Sequence, residues 1–419
     1  MNNNIPDGWK ETIISDVADV NELSVGNDYP YQQIEYIDIS SVGTREVLST
    51  QKLNLADAPS RAKRIIRDND ILISTVRPNL KHFCYINKAK PNHVASTGFA
   101  VISSKKCNPV FLYYLLTTNA YTDFLIKIAD SQTSTYPAFN SGVISNSILA
   151  FPPLPEQKAI ADVLSSFDNK IELLREQNKT LEAIAQTIFN EWFVRFNFPD
   201  ENGKPFQASG GKMIDSQLGP IPDGWRVGKM GEVVKICGGS TPDTTESSYW
   251  NGSINWTSPK DLSIRKELFL TDTDSKITMD GLKQISSGLL PKGTLLLSSR
   301  APIGYLAITD ILVAINQGYI AFLPKAYLSN EFMFIWLKNN IDKVLACSNG
   351  STFLEISKRS LRTIELIVPS REGLYRFQKN INPLFSKIHN NQSKIQTLSA
   401  LRDELLPKLL KGEIRVKGV

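Results

Sequence analysis

Pro242-Asp243 followed by Asp274-Ser275-Lys276 is the one stretch of this 419-residue chain that spells a familiar catalytic pattern, a loose match to PD-(D/E)xK. That chemistry cuts phosphodiesters and needs both carboxylates and Lys276 to converge on a divalent metal. Short patterns of this kind match by chance often, and Pro242-Asp243 lies in a Thr-, Pro- and Ser-rich stretch that turn formation explains by itself. Other catalytic spellings are missing: there is no GxxxxGK[ST], Gly-rich dinucleotide loop, HExxH or Asn/Asp-Pro-Pro-Tyr/Phe tetrapeptide. Four scattered cysteines (Cys84, Cys107, Cys237, Cys347) form no CxxC pair, and three histidines are too few to complete metal sites with them. The expectation is no catalytic residue, no bound metal and no disulfide.

Contact chemistry remains. Arg61, Lys63, Arg64 and Arg67 place four positive charges in seven residues, suiting phosphate attachment or, equally, a solvated face. Arg77 and Arg300 each follow an apolar run that reads as a buried strand, which makes them the stronger choices for contacts inside a groove; a salt bridge within the module is the bland alternative. Asn79 and Lys81, with Asn316 and Gln317, carry amide or amine groups able to read adenine or guanine edges. Ser134, Thr135 and Tyr136, and in parallel Ser351 and Thr352 before Phe353, lie in Ser/Thr-rich loops, the second followed by Lys358, Arg359 and Arg362. A net charge of +5 and a pI of about 8.8 fit a phosphate-bearing partner without requiring one.

These residues come in pairs because the chain is duplicated. Ile5-Pro6-Asp7-Gly8-Trp9-Lys10 recurs as Ile221-Pro222-Asp223-Gly224-Trp225-Arg226. In the same order, Ile71-Leu72-Ile73-Ser74 is echoed by Leu295-Leu296-Leu297-Ser298, and Ser96-Thr97-Gly98-Phe99 by Asn316-Gln317-Gly318-Tyr319. The aromatic stretches 111–116 and 332–337 read as amphipathic helices packed on a sheet. No apolar run is long enough for a membrane span, and the N-terminus has neither the basic nor the apolar region of a signal peptide, so the expected location is cytoplasmic.

Each copy ends in a helix with a heptad seam. The first runs through Ile160, Leu164, Phe167, Ile171, Leu174, Asn178, Leu181, Ala185, Ile188 and Trp192, and the second through Leu384, Ile388, Asn391, Ile395, Leu398, Arg402, Leu405 and Leu409. Asn178 and Asn391 interrupt apolar seams, where a polar residue sets register. Arg402 either faces a partner protein or lays its stem along the seam. A heptad seam commonly joins two chains, but two copies in one chain can pair with each other. Antiparallel pairing over roughly 50 Å would hold two modules about one to one and a half turns of duplex DNA apart, predicting a bipartite site with an unread spacer.

At this point the chain resembles the specificity subunits of type I restriction-modification systems over nearly its whole length. The resemblance rests on Pro152-Pro153-Leu154-Pro155-Glu156-Gln157, on the helix running into Ile188-Phe189-Asn190-Glu191-Trp192-Phe193, and on Leu405-Leu406-Pro407-Lys408-Leu409-Leu410-Lys411-Gly412-Glu413-Ile414. Ser370-Arg371-Glu372-Gly373, standing where the first copy has Leu154-Pro155-Glu156-Gln157, departs from it. The resemblance implies an α+β fold with two mixed α/β target-recognition domains, residues 1–155 and 197–370. Two helical spacer and docking regions, 156–196 and 371–419, pair as an intramolecular antiparallel coiled coil. It also implies a non-catalytic subunit. Each recognition domain reads one half of a split duplex target, and the helices dock two methyltransferase subunits; restriction/translocase subunits join in the full complex. Adenine-N6 methylation and ATP-dependent cleavage belong to those partners, so S-adenosylmethionine, ATP and Mg are expected there and no cofactor here. The competing readings are the PD-(D/E)xK-like nuclease and a protein-binding scaffold that touches no DNA.

Overall fold

The computed structural model describes residues 5–132, 136–265, 267–300, 302–323, 328–349 and 354–416. It divides into two compact units, one made of residues 1–171 with 397–419 and the other of residues 172–396. Each unit therefore joins one sheet-bearing module to segments of both long helices, Leu154–Phe189 and Arg371–Leu410.

The first unit is built on an antiparallel sheet with strand order Ala18–Val20, Phe99–Ser104, Ile71–Ser74, Phe83–Tyr85. Ile71 and Ile73 face one cluster together with Ala100, Ile102 and the helix Pro109–Leu116, while Leu72 faces another with Cys84, Phe99 and Val101. A strand covered on both faces has no polar side, which is why 71–73 reads as a continuous apolar run. A second sheet orders Gln51–Asn54, Gln33–Ile37, His93–Ser96 and Ala62–Ile65, with Gln33–Ile37 and His93–Ser96 parallel.

The second unit repeats the design. Its five-stranded sheet runs Lys235–Gly238, Tyr319–Leu323, Leu295–Ser298, Leu306–Thr309, Phe269–Leu270, and Leu295 and Leu297 again face the opposite cluster from Leu296. A smaller sheet holds Trp250–Thr257 between Ser275–Ile277 and Ala314–Ile315, the last pair parallel. The aromatic stretches are helices in both units, Pro109–Leu116 capped by Asn108 and Asn330–Asn339 capped by Ser329. They are not amphipathic as expected: every residue from Phe111 to Leu116 and from Phe332 to Leu337 is buried, because each helix is covered by its sheet on one side and by a long helix on another.

Within each unit the two long helices run antiparallel. In the first, Ile160, Ala161 and Leu164 share a core with Leu406, Leu409 and Leu410, and Asp168 pairs with Arg402. In the second, Asn391 Nδ2 donates to Asn178 Oδ1 at 2.9 Å, and Phe189 and Trp192 pack against Phe377. The seam extends further upstream than the expected start at Leu384: Leu374, Phe377, Ile381 and Phe385 are buried, and Leu384 is half-buried beside them. The first helix ends in a π turn, Asn190–Val194.

The repeated tryptophans and the departure at 370–373 are explained together. In the first unit, Trp9 Nε1 donates to Glu156 Oε2 at 3.3 Å, Arg415 pairs with the same carboxylate, and Gln157 accepts from Asn108 N while donating to Pro152 O. In the second unit Gly373 leaves room beside the Trp225 ring, which stacks on Phe198 at 5.1 Å.

Asn391 is fully buried and its Oδ1 has no hydrogen-bond partner, the cost of a polar residue in the seam. Replacing both Asn178 and Asn391 by leucine is expected to raise stability by about 1–2 kcal/mol, read as a higher urea midpoint. A loss instead would mean the pair does more than set register.

Candidate nucleic-acid interface

The two modules anchor the residue that follows the apolar strand with the same backbone bonds. In the first unit Thr75 N donates to Gly98 O at 2.9 Å and Phe139 N to Thr75 O at 3.0 Å; in the second Ser299 N donates to Gly318 O at 2.8 Å and Ile356 N to Ser299 O at 2.9 Å. Thr75 and Ser299 are thus equivalent, and so are the bridges Val76–Ala138 and Arg300–Glu355 that follow. In both units the residues after the apolar strand pair with a later segment, Ala138–Phe139 in the first and Glu355–Ile356 in the second. The two arginines are one position out of step: Arg300 corresponds to Val76, and Arg77 to Ala301, which lies outside the described residues, as do Ser134, Thr135, Ser351, Thr352 and Phe353.

Arg77 is exposed and left-handed at φ 50°, and Pro78–Leu80 forms a single 3-10 turn closed by Lys81, also left-handed at φ 53°. Arg77 N donates to Pro137 O at 2.7 Å, and its guanidinium stands over the Tyr136 ring with 4.9 Å to the centroid. Lys81 Nζ donates to Asn119 Oδ1 at 2.9 Å. Asn79 is exposed, Leu80 is 50% exposed and Tyr136 is 63% exposed, so a tip of mixed chemistry stands clear of the module. Leu80 carries no signal in the sequence, because an exposed leucine has no signature until the turn is folded.

The cluster at 61–67 is placed differently. Arg61 donates to the Tyr36 hydroxyl at 3.1 Å and pairs with Asp38 at 2.6 Å, contacts that raise its pKa, the Tyr36 bond first. Arg67 pairs with Glu22 and Arg64 donates to Ser24 Oγ, while Lys63 is exposed on the strand Ala62–Ile65. Two of these charges thus have carboxylates of their own.

In the second unit, Lys358 and Arg359 are exposed at the start of a short helix capped by Ser357, and Arg362 donates to Ile236 O at 2.9 Å as part of the module's own packing. Gln317 accepts from Thr241 Oγ1, and Asn316 Oδ1 accepts from Gly318 N in a local turn. The nuclease spelling dissolves into local structure. Asp243 accepts from Thr245 N and Oγ1, the hydroxyl chiefly holding its carboxyl below the ordinary range, and Lys276 is bonded to Asp272 and Asn255. Among the described residues no cluster of three His, Cys, Asp or Glu could hold a metal ion, and no helix is long and apolar enough to cross a membrane.

A family model described as the type I restriction modification DNA specificity domain matches residues 6–183 and 222–402. The type I restriction enzyme HindI specificity subunit of Haemophilus influenzae is 27% identical, over 97% of this chain and 99% of its own length. The MjaIX specificity subunit of Methanocaldococcus jannaschii is 28% identical, over 99% of this chain and 95% of its own. The type-I restriction-modification S subunit from M. genitalium has a similar fold, with TM-score 0.54 at 17% identity, covering 98% of this chain and 97% of that one.

Proposed function

Because this chain belongs to the type I restriction-modification DNA specificity family, we infer that it is a sequence-reading subunit whose two modules each recognise one half of a split duplex target. The observation that carries this reading is the repeated scaffold: the same backbone bonds at Thr75 and Ser299 are followed by different side chains in the two units, Val76 in one and Arg300 in the other. Two similar surfaces furnished differently suit two unlike half-sites. Base contacts specify sequence while phosphate contacts position the protein.

The long helices serve as docking surfaces for methyltransferase subunits. Support comes from apolar side chains outside the seam, Leu173 and Ile184 on the first helix and Leu401 on the second, which are 50%, 43% and 43% exposed. S-adenosylmethionine, ATP and Mg then act on partner subunits, which carry out methylation and, with a restriction subunit, cleavage.

The test is methylome sequencing of a methylation-deficient host expressing this chain with its neighbouring methyltransferase, against the methyltransferase alone. The expected result is a split motif with modified adenines in both halves that appears only with the chain. If soluble assembled complex yields no motif, the DNA reading fails. A pure scaffold would in addition lack the steep loss of DNA affinity with rising salt that phosphate neutralisation produces.

A further inference from the structure

We propose that the turn Arg77–Lys81 is a base-reading element of the first unit, with Arg77 reading a guanine in the major groove; this rests on the DNA-reading function inferred above. Three observations lead there. The first is how several other cations of the first unit are engaged. Arg61, Arg67, Lys90 and Lys105 pair with carboxylates, and Arg45 is enclosed by Phe83, Tyr113 and Tyr114. Arg77 instead has its guanidinium set over the exposed Tyr136 ring. A ring occupies the face of a guanidinium and leaves its in-plane N–H fork free, and that fork matches guanine O6 and N7.

The second is backbone strain. Two non-glycine residues in five, Arg77 and Lys81, are held left-handed, a conformation that disfavours L side chains. The turn persists because it is tied down at both ends: Arg77 N to Pro137 O, Lys81 Nζ to Asn119 Oδ1, with Pro78 buried between them. The result is a rigid projection that presents Asn79 and Leu80 beside the arginine. An amide suits an adenine edge and an apolar side chain suits a thymine methyl, so the tip is equipped for bases as well as phosphates.

The third is the break in symmetry. Val76 stands where the second unit has Arg300, so the two turns offer different chemistry on one scaffold. A change at Arg77 therefore alters one half-site only.

The experiment takes the complex of this chain with its methyltransferase, binds it to a randomised duplex DNA library, and sequences the bound fraction. With Arg77→Ala, discrimination at one guanine of one half-site is expected to fall roughly 10- to 100-fold, with the other half-site unchanged. Arg77→Lys should lose nearly as much, since an ammonium lacks the fork, and Tyr136→Ala should lose part. Arg77→Gly separates recognition from folding: glycine accepts the left-handed conformation, so the melting temperature should hold or rise while discrimination is lost. An unchanged base preference in Arg77→Ala overturns the proposal. So does a loss uniform across sequences with a shallower salt dependence, the mark of a phosphate contact. A wild-type complex that selects no split motif overturns instead the function on which the proposal rests, and the proposal with it.

Discussion

Replacing Phe377 by alanine is expected to destabilise the second unit by about 3–5 kcal/mol. Phe377 is fully buried, with ring centroids of Phe193 at 4.8 Å, Trp192 at 5.8 Å, and Phe189 and Phe332 at 6.0 Å. Four rings around one side chain leave little freedom to collapse into the space that truncation opens, so the loss combines transfer and cavity terms. The cluster gathers the end of one long helix, the start of the other and the sheet-packed helix Asn330–Asn339. A domain's whole stability is about 5–15 kcal/mol, so the variant should unfold at a much lower urea concentration and yield less soluble protein. The repeat supplies a control. Ile160 occupies the matching seam position in the first unit, buried in a cluster with Phe111, Leu406 and Leu410. Ile160→Ala should cost about 2–4 kcal/mol. A loss below about 1 kcal/mol for Phe377→Ala would mean that the helix start is not anchored in this core.

The Asp168–Arg402 pair carries the second large effect. Arg402 Nη1 donates to Asp168, whose other oxygen accepts from the Tyr114 hydroxyl at 2.6 Å, and the Arg402 side chain is only 11% exposed. Burial works most strongly against the guanidinium charge, but the hydrogen bonds and charges of Asp168 and Asp403 together outweigh it, so the Arg402 pKa is raised. Arg402→Leu removes one partner and leaves the Asp168 carboxylate, 28% exposed, without its counter-charge. The expected cost is about 2–3 kcal/mol, set by an unpaired charge more than by a lost contact. The double variant Asp168→Leu/Arg402→Leu should recover at least half of that, since exchanging a paired ion for apolar volume is often neutral. Chemical denaturation of the double variant and of both single variants, Arg402→Leu and Asp168→Leu, closes the cycle. Strict additivity would show that the two side chains do not act as a pair.

Arg402 also marks how far the sequence could be read. Its seam position was plain from the heptad count, yet the count left open whether it faced a partner protein or the seam. Only folding brings Asp168, 234 residues earlier, to its guanidinium. Phe377 and Ile381 lie upstream of the regular heptad repeat, because the first turns of this helix pack on a sheet module rather than on a helix alone. The aromatic stretches are legible as helices but not as fully buried ones, since burial on every face leaves no polar stripe to mark which side meets solvent. At the candidate interface, Arg77 and Tyr136 were each legible as residue types. Their stacking was not, because it depends on a left-handed backbone before a proline and on a loop 59 residues away.

Features that are local or repeated are legible along the chain. The duplication follows from recurring motifs, and the buried strands and helical seams follow from side-chain periodicity, which is written in neighbouring residues. Tertiary structure decided which charges are already satisfied and which still face outward. Arg61 and Arg77 are the same residue type, 16 positions apart, and only the fold gives one a carboxylate at 2.6 Å and the other an aromatic ring. Electrostatic partnership depends on distance in space, and between residues far apart in the chain that distance exists only once the backbone has folded.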